Sequence, residues 1–113
     1  MSDRLLCDNV FETVLPHAPL PPDEIDEGTP SAGVADFGRV GATDVGIWEM
    51  SEGVARDTEA EEIFVVLSGA GSVSFQDGST LALTPGVAVR LYQGEQTVWT
   101  ITERLRKIYV ALP

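Results

Sequence analysis

The sequence predicts an all-β protein, a sandwich or barrel of short strands, and three observations carry that prediction. No stretch of ten or more residues shows helical periodicity without a glycine or proline inside it. Short apolar or alternating runs recur every eight to twelve residues, bounded by glycine-bearing turns. The clearest local signal is a hairpin: Ser72-Val73-Ser74-Phe75 alternates, Gln76-Asp77-Gly78-Ser79 turns, and Thr80-Leu81-Ala82-Leu83 alternates again.

Taken in order, the chain begins with an arm. Residues 9–15, Asn-Val-Phe-Glu-Thr-Val-Leu, suit one short strand or a segment that docks on a partner. Pro16, Pro19, Pro21, Pro22 and Pro30, with Gly28, forbid a regular helix or a central strand across 16–32. Inside that stretch Asp23-Glu24-Ile25-Asp26-Glu27 reads as a solvated acidic loop, because a calcium loop wants carboxylates at alternate positions. The division expected is an N-terminal arm or strand over 1–21, able to exchange between subunits, and one folded domain over 22–113.

Val34–Phe37 and Asp44–Met50 are the first two strands of the domain, separated by Gly38-Arg39-Val40-Gly41. The second places Gly46, Trp48 and Met50 on one face and Val45, Ile47 and Glu49 on the other. Glu62 to Gly69, Glu-Ile-Phe-Val-Val-Leu-Ser-Gly, is too short for a buried helix and reads as a strand covered on both faces. Gly69-Ala70-Gly71 is expected as a tight connection; it lacks the third glycine and the following helix of a phosphate-binding loop. Val87–Tyr92 is a strand with Val87, Val89 and Leu91 on one side and Ala88, Arg90 and Tyr92 on the other. Thr97–Ile101 and Arg106–Leu112 follow, with Glu103 and Arg104 in a loop between them.

A domain of 113 residues buries roughly two thirds of its unfolded surface around one core. Eighteen Asp plus Glu against seven Lys plus Arg give a net charge of −11. That charge disfavours nucleic acid, which needs clustered positive residues, and anionic membrane for the same reason. Cys7 is the only cysteine, so no intrachain disulfide is available. No signal peptide or membrane-spanning run is visible, and the cytoplasm is the expected compartment. Two strands, 62–67 and 106–112, are apolar on both faces, whereas a small barrel has one inside only. The second face needs a cover, and a homodimer is expected.

Gly46-Ile47-Trp48-Glu49, Glu62 with Gly69, Asp77-Gly78, Pro85-Gly86, Gly94 with Trp99, and Arg106-Lys107-Ile108-Tyr109 together resemble the cupin superfamily. The likeness is to small single-domain cupins similar to the ureidoglycine aminohydrolase cupin domain and the ethanolamine-utilisation cupins, over about residues 22–113. It implies a single-domain jelly-roll β-barrel. Metal-dependent cupins of this kind carry two histidines shortly before the glutamate and a third on a later strand. Glu62 matches the glutamate; the other positions fall within Ala55-Arg56-Asp57-Thr58 and at Thr97, and none is histidine. Transition metals need several converging donors, so no metal and no other cofactor is expected. The nearby Asp57, Glu59 and Glu61 read as loop carboxylates.

Without a metal, a carboxylate heading an apolar strand must find another cation or take up a proton. Lys107, an ammonium on an otherwise apolar last strand, is the expected partner of Glu62, with Arg56 and Arg90 as alternatives. Trp48, Glu62, Tyr92, Thr97, Trp99 and Lys107 are the expected lining of a small-molecule pocket, and Glu62 and Lys107 the candidates for any catalysis. Three functions are compatible with this pattern: a small-molecule binder, an enzyme resembling the ureidoglycine aminohydrolases and acting on a nitrogenous metabolite, or an interaction module whose barrel is sealed by the ion pair. His17, flanked by prolines, reads as a poor platform for a nucleophilic triad, and Cys7 as a bystander.

Overall fold

A computed structural model describes residues 3–113; the first two residues of the arm lie outside the described residues. Among the described residues nine strands form one sheet that curls around the core: β1 Ala18–Pro19, β2 Ile25–Glu27, β3 Ser31–Val40, β4 Thr43–Met50, β5 Gly53–Thr58, β6 Glu61–Phe75, β7 Thr80–Leu83, β8 Ala88–Leu91 and β9 Gln96–Leu112. The neighbour order is β1-β3-β4-β9-β5-β2, while β6 pairs with β7, β8 and β9, every pairing antiparallel. No helix is long and apolar enough to cross a membrane among the described residues.

The two longest strands organise the molecule. Gly69-Ala70-Gly71 is not a tight connection but the bend of one continuous strand, and Glu103-Arg104 is not a loop but the matching bend of β9. Register shifts between Val66 and Gly71 absorb the curvature. Gly69, at φ 93°, is required there, because a Cβ would collide with the carbonyl of Arg104. The bend splits each strand into two working halves. The C-terminal half of β9 lies between β4 and the start of β6; its N-terminal half lies between β5 and the end of β6.

The proline-rich segment behaves as its composition dictates. It yields only the edge pieces β1 and β2 and a single 3-10 turn at Pro22–Glu24. Residues 9–15 form no strand and run as an arm. The expected hairpin is present, with Gly78 at φ 89° between β6 and β7. Strand β5 was not anticipated, since Arg56-Asp57-Thr58 lacks apolar alternation; its hydrogen bonding to β9 supplies what its side chains do not.

Alternation sorts the side chains into two faces. Met50, Phe64, Val66, Val73, Leu83, Leu91, Trp99, Ile101 and Leu105 are buried on the concave face and form the main core. The convex face of β3, β4, β9 and β6 carries Ile47, Ile108 and Val65 in one cross-strand row, and Val45, Val110 and Ile63 in the next. Leu15 of the arm and Ile47 are buried on this second face.

Candidate functional site

Glu62, Phe64 and Val66 project into the concave side from β6, and Lys107 and Tyr109 from β9 beside them. Lys107 stands opposite Val66 on one side and opposite Trp48 of β4 on the other. From there its chain reaches along the barrel, and Nζ donates to Glu62 Oε2 at 2.6 Å. Both side chains are nearly enclosed, 6% and 11% exposed. The ammonium is also 4.4 Å from the Phe64 ring centre, 4.8 Å from Trp99 and 4.9 Å from Trp48. Stripped of water, the cation is left with one carboxylate and three π-faces, each of which attracts it. The rings brace each other, with Trp99 5.5 Å from both Trp48 and Phe64.

A second carboxylate lies next to this cluster. Glu59, between β5 and β6, is buried, and its Oε2 accepts from Thr97 Oγ1 at 2.5 Å and from Trp99 Nε1 at 2.9 Å. Its backbone is clamped to the 94–95 turn by two hydrogen bonds, Glu59 N–H to the Glu95 carbonyl and Gly94 N–H to the Glu59 carbonyl. Trp99 thus joins the two carboxylates: its face serves the Lys107–Glu62 pair and its N–H serves Glu59.

Thr97, itself buried, stands between the cluster and a cleft. It pairs with Asp57 across β5 and β9, and both line a cleft of about 410 Å3 with Glu24, Phe75 and Gln96. Asp57 is exposed to the cleft yet surrounded by protein on its other sides. That desolvation, with the neighbouring Glu59 charge, raises its carboxyl pKa to about 6, and Lys107 only partly counteracts it. Arg56 does not neutralise it, because its guanidinium is engaged by Asp26 Oδ1 at 2.8 Å and the Asp23 carbonyl at 2.7 Å.

Of the expected pocket residues, Trp48, Glu62, Trp99 and Lys107 come together, and Thr97 joins them through Glu59 and Trp99. Tyr92 does not. It follows the end of β8, is exposed, and packs its ring 4.3 Å from the Arg90 guanidinium. Arg90 and Arg56 are not the partners of Glu62: Arg90 pairs with the Glu61 carboxylate and Arg56 with Asp26. In sequence Asp57 and Glu59 look like loop carboxylates, because Arg56-Asp57-Thr58 lacks the apolar alternation that marks a strand. Recognising β5 as a strand would have set Asp57 opposite Thr97.

The only histidine belongs to a different network, on the convex face. His17 Nε2 lies 2.6 Å from Glu49 Oε1, and Nδ1 lies 2.7 Å from Ser31 Oγ. Arg106 grips Glu49 Oε2 through Nε at 2.8 Å and a terminal nitrogen at 2.7 Å, and also donates to the Val10 carbonyl at 3.0 Å. Burial by itself would raise the Glu49 pKa, but hydrogen bonds from His17 and Arg106 outweigh it and hold the carboxyl below its ordinary value. Serine, imidazole and carboxylate are in line here, but the carboxylate's charge is already taken by Arg106. The network is a fastener that ties the arm to β3, β4 and β9.

Among the described residues no three His, Cys, Asp or Glu side chains converge in a way that could hold a metal ion. The donor chemistry at Glu62 is also unsuited to one. The carboxylate oxygen that would face a cation already accepts from an ammonium at 2.6 Å, and a metal there would meet like charge.

A curled antiparallel sheet closed over an aromatic core, with its polar cluster at the open end, is the architecture of a small cupin. The chain belongs to the EutQ-like cupin domain family, whose sequence model matches residues 37–109. It is similar to the Clostridium difficile EutQ protein, at 22% identity and a TM-score of 0.66, over 74% of this chain and 69% of that one. A putative ethanolamine utilization protein Q from Salmonella typhimurium is 15% identical with a TM-score of 0.65, over 89% of this chain and 98% of that one. A protein of unknown function from Pseudomonas syringae is 22% identical with a TM-score of 0.76, over 88% of this chain. This chain spans 45% of the Pseudomonas protein. At such identities the structural likeness speaks for the fold alone. No curated protein matches.

Proposed function

We propose that this cupin binds a small polar molecule at the open end of its barrel, in the cleft where Asp57 and Thr97 meet. The observation that carries the reading is the pairing of a cavity of about 410 Å3 with a carboxyl whose pKa is raised to about 6 on its wall. Such a group is costly to leave charged beside Glu59, and a ligand that donates a hydrogen bond or carries positive charge relieves that cost. Glu24 and Asp23 on the rim extend the same preference, and Phe75 supplies an apolar wall. Glu62, Lys107, Trp48 and Trp99 then act from behind, fixing Thr97 and Glu59 rather than touching the ligand. Acid–base chemistry at this cleft would fall to Asp57, whose proton is exchangeable near neutral pH.

The test is a thermal-shift screen of small amines, amides and carboxylates on the wild type, Asp57→Asn and Thr97→Val. Binding at the cleft predicts stabilisation by some donors or cations in the wild type and its loss in both variants. Stabilisation that survives both substitutions places the ligand elsewhere and overturns the reading.

A second reading is favoured by the enclosure of Lys107. An ammonium already surrounded by three rings and a carboxylate plugs the barrel's interior, leaving the domain as a scaffold for interaction. A screen with no stabilising compound would favour that role.

A further inference from the structure

The cleft that holds Asp57 does not end at its own wall. A second cleft of about 300 Å3 adjoins it, and Phe75, Gln76 and Gln96 line both. Asp57, Thr97 and Phe75 stand opposite one another in register across β5, β9 and β6. Neighbouring strands lie ~4.8 Å apart, so about 10 Å separates the backbones of Asp57 and Phe75. The second cleft opens beyond Phe75, between the β6–β7 hairpin and the turn at 92–95. Tyr92, absent from the first cleft, is on its wall.

The charged groups of the second cleft are already engaged. The Arg90 guanidinium donates to the Leu91 carbonyl at 2.6 Å, pairs with the Glu61 carboxylate and lies 4.3 Å from the centre of the Tyr92 ring. Glu95 Oε1 accepts from the Tyr92 N–H at 2.6 Å, and Asp77 Oδ1 accepts from the Ser79 hydroxyl at 2.6 Å. Tyr92 is thus held in place while remaining 56% exposed. A ring fixed at the surface loses little further freedom when a flat group stacks against it. The Gln76 and Gln96 carboxamides are the groups left over. Gln76 Nε2 donates to Gln96 Oε1 at 3.3 Å, the one hydrogen bond to protein that either side chain makes among the described residues. Each carboxamide has two N–H donors and an oxygen with two lone pairs, so most of this capacity is unspent.

We infer that the ligand is elongated: an amine at Asp57 is joined, about 10 Å away, to an uncharged planar group bearing hydrogen-bond donors and acceptors. The near end rests on the assignment of the Asp57 cleft, and the far end is read from the second cleft. A carboxamide in the tail is matched by the two glutamines, and an attached ring stacks on Tyr92 beside Phe75. An anionic tail would meet Asp77 and Glu95, with Arg90 already paired to Glu61.

The experiment is an amide NMR titration of the full chain with n-butylamine, N-benzoylputrescine and hexamethylenediamine. N-benzoylputrescine, which has amine, carboxamide and ring in line, is expected to bind the wild type about tenfold tighter than butylamine. It alone is expected to shift the amides of residues 76–79 and 92–96. Tyr92→Ala, and Gln76→Ala with Gln96→Ala, all at exposed positions, are expected to bring the two affinities together. Asp57→Asn is expected to weaken both compounds alike. Equal affinities in the wild type, or an excess that survives the Tyr92 and glutamine variants, overturn the elongated ligand and leave the Asp57 cleft standing. Hexamethylenediamine binding as tightly as N-benzoylputrescine overturns the uncharged tail, because Asp77 and Glu95 would then be its receptor. A wild type that binds none of the three overturns the elongated ligand and the Asp57 cleft together.

Discussion

Lys107 lies in surroundings that offer one carboxylate and three ring faces. The partners are therefore unequal in what their loss would do. Lys107→Met leaves Glu62 enclosed without a counter-charge, and we expect a loss of about 3 kcal/mol in a urea titration. Adding Glu62→Leu removes the orphaned charge, and the double variant should recover most of that loss; equal destabilisation of single and double variants would show that the ring contacts, not the pairing, matter. Asp57 carries the opposite sign. Its folded pKa, about 6, exceeds the unfolded value near 3.8, so folding is favoured by its proton below pH 4 and that advantage is lost as pH rises through 6. Asp57→Asn should thus leave stability unchanged at pH 4 and raise it at pH 7.5, by about 1 kcal/mol once solvent screening is allowed for. A gain that is the same at both pH values would remove the titration from the explanation. The Glu62–Lys107 pairing was legible because two charges on otherwise apolar strands had no other plausible counter-charge. Glu59 and Asp57 were not, because the burial of Glu59 comes from Trp99, Thr97 and the 94–95 turn, and the strand partner of Asp57 is Thr97, all distant in sequence.

At the scale of the element, the bend in β6 is the costliest detail to alter. Gly69 combines a left-handed backbone with a neighbour, the Arg104 carbonyl, where a side chain would go. Gly78 shares the backbone conformation, but nothing lies within 4 Å of its would-be Cβ. Gly78→Ala should cost about 1 kcal/mol, the conformational strain alone. Gly69→Ala should cost at least twice as much, since strain and collision add, and comparison of the two denaturation midpoints checks it. Equal costs would mean that β9 yields easily at Arg104. The same pair of glycines shows what sequence can convey about elements. Asp77-Gly78 lies between alternating runs and announces a hairpin from local information. Gly69 looks like another turn, because only the pairing of β6 with β9 on both sides of the bend reveals that the strand continues. Strand β5 is hidden for a related reason: its polar run is a strand only because β9 and β2 lie on either side to bond with it.

Over the whole molecule, attraction is local and repulsion is diffuse. Arg39, Arg56, Arg90, Arg104, Arg106 and Lys107 all stand in ion pairs with carboxylates. Eighteen acidic residues stand against seven basic ones, so the remaining field is that of an anion. These two contributions respond differently to salt. The Glu49–Arg106 and Glu62–Lys107 pairs are enclosed and in contact, which mobile ions barely screen. Repulsions between surface carboxylates act over longer distances, and the Debye length falls from ~30 Å at 0.01 M salt to ~8 Å at 0.15 M. Sodium chloride across that range should therefore raise the melting temperature by a few degrees, with most of the rise below about 0.1 M. Sucrose at matched osmolality serves as the control for non-ionic effects. A melting temperature that falls with salt would mean that exposed pairs such as Arg39–Asp44 and Arg56–Asp26 outweigh the repulsion.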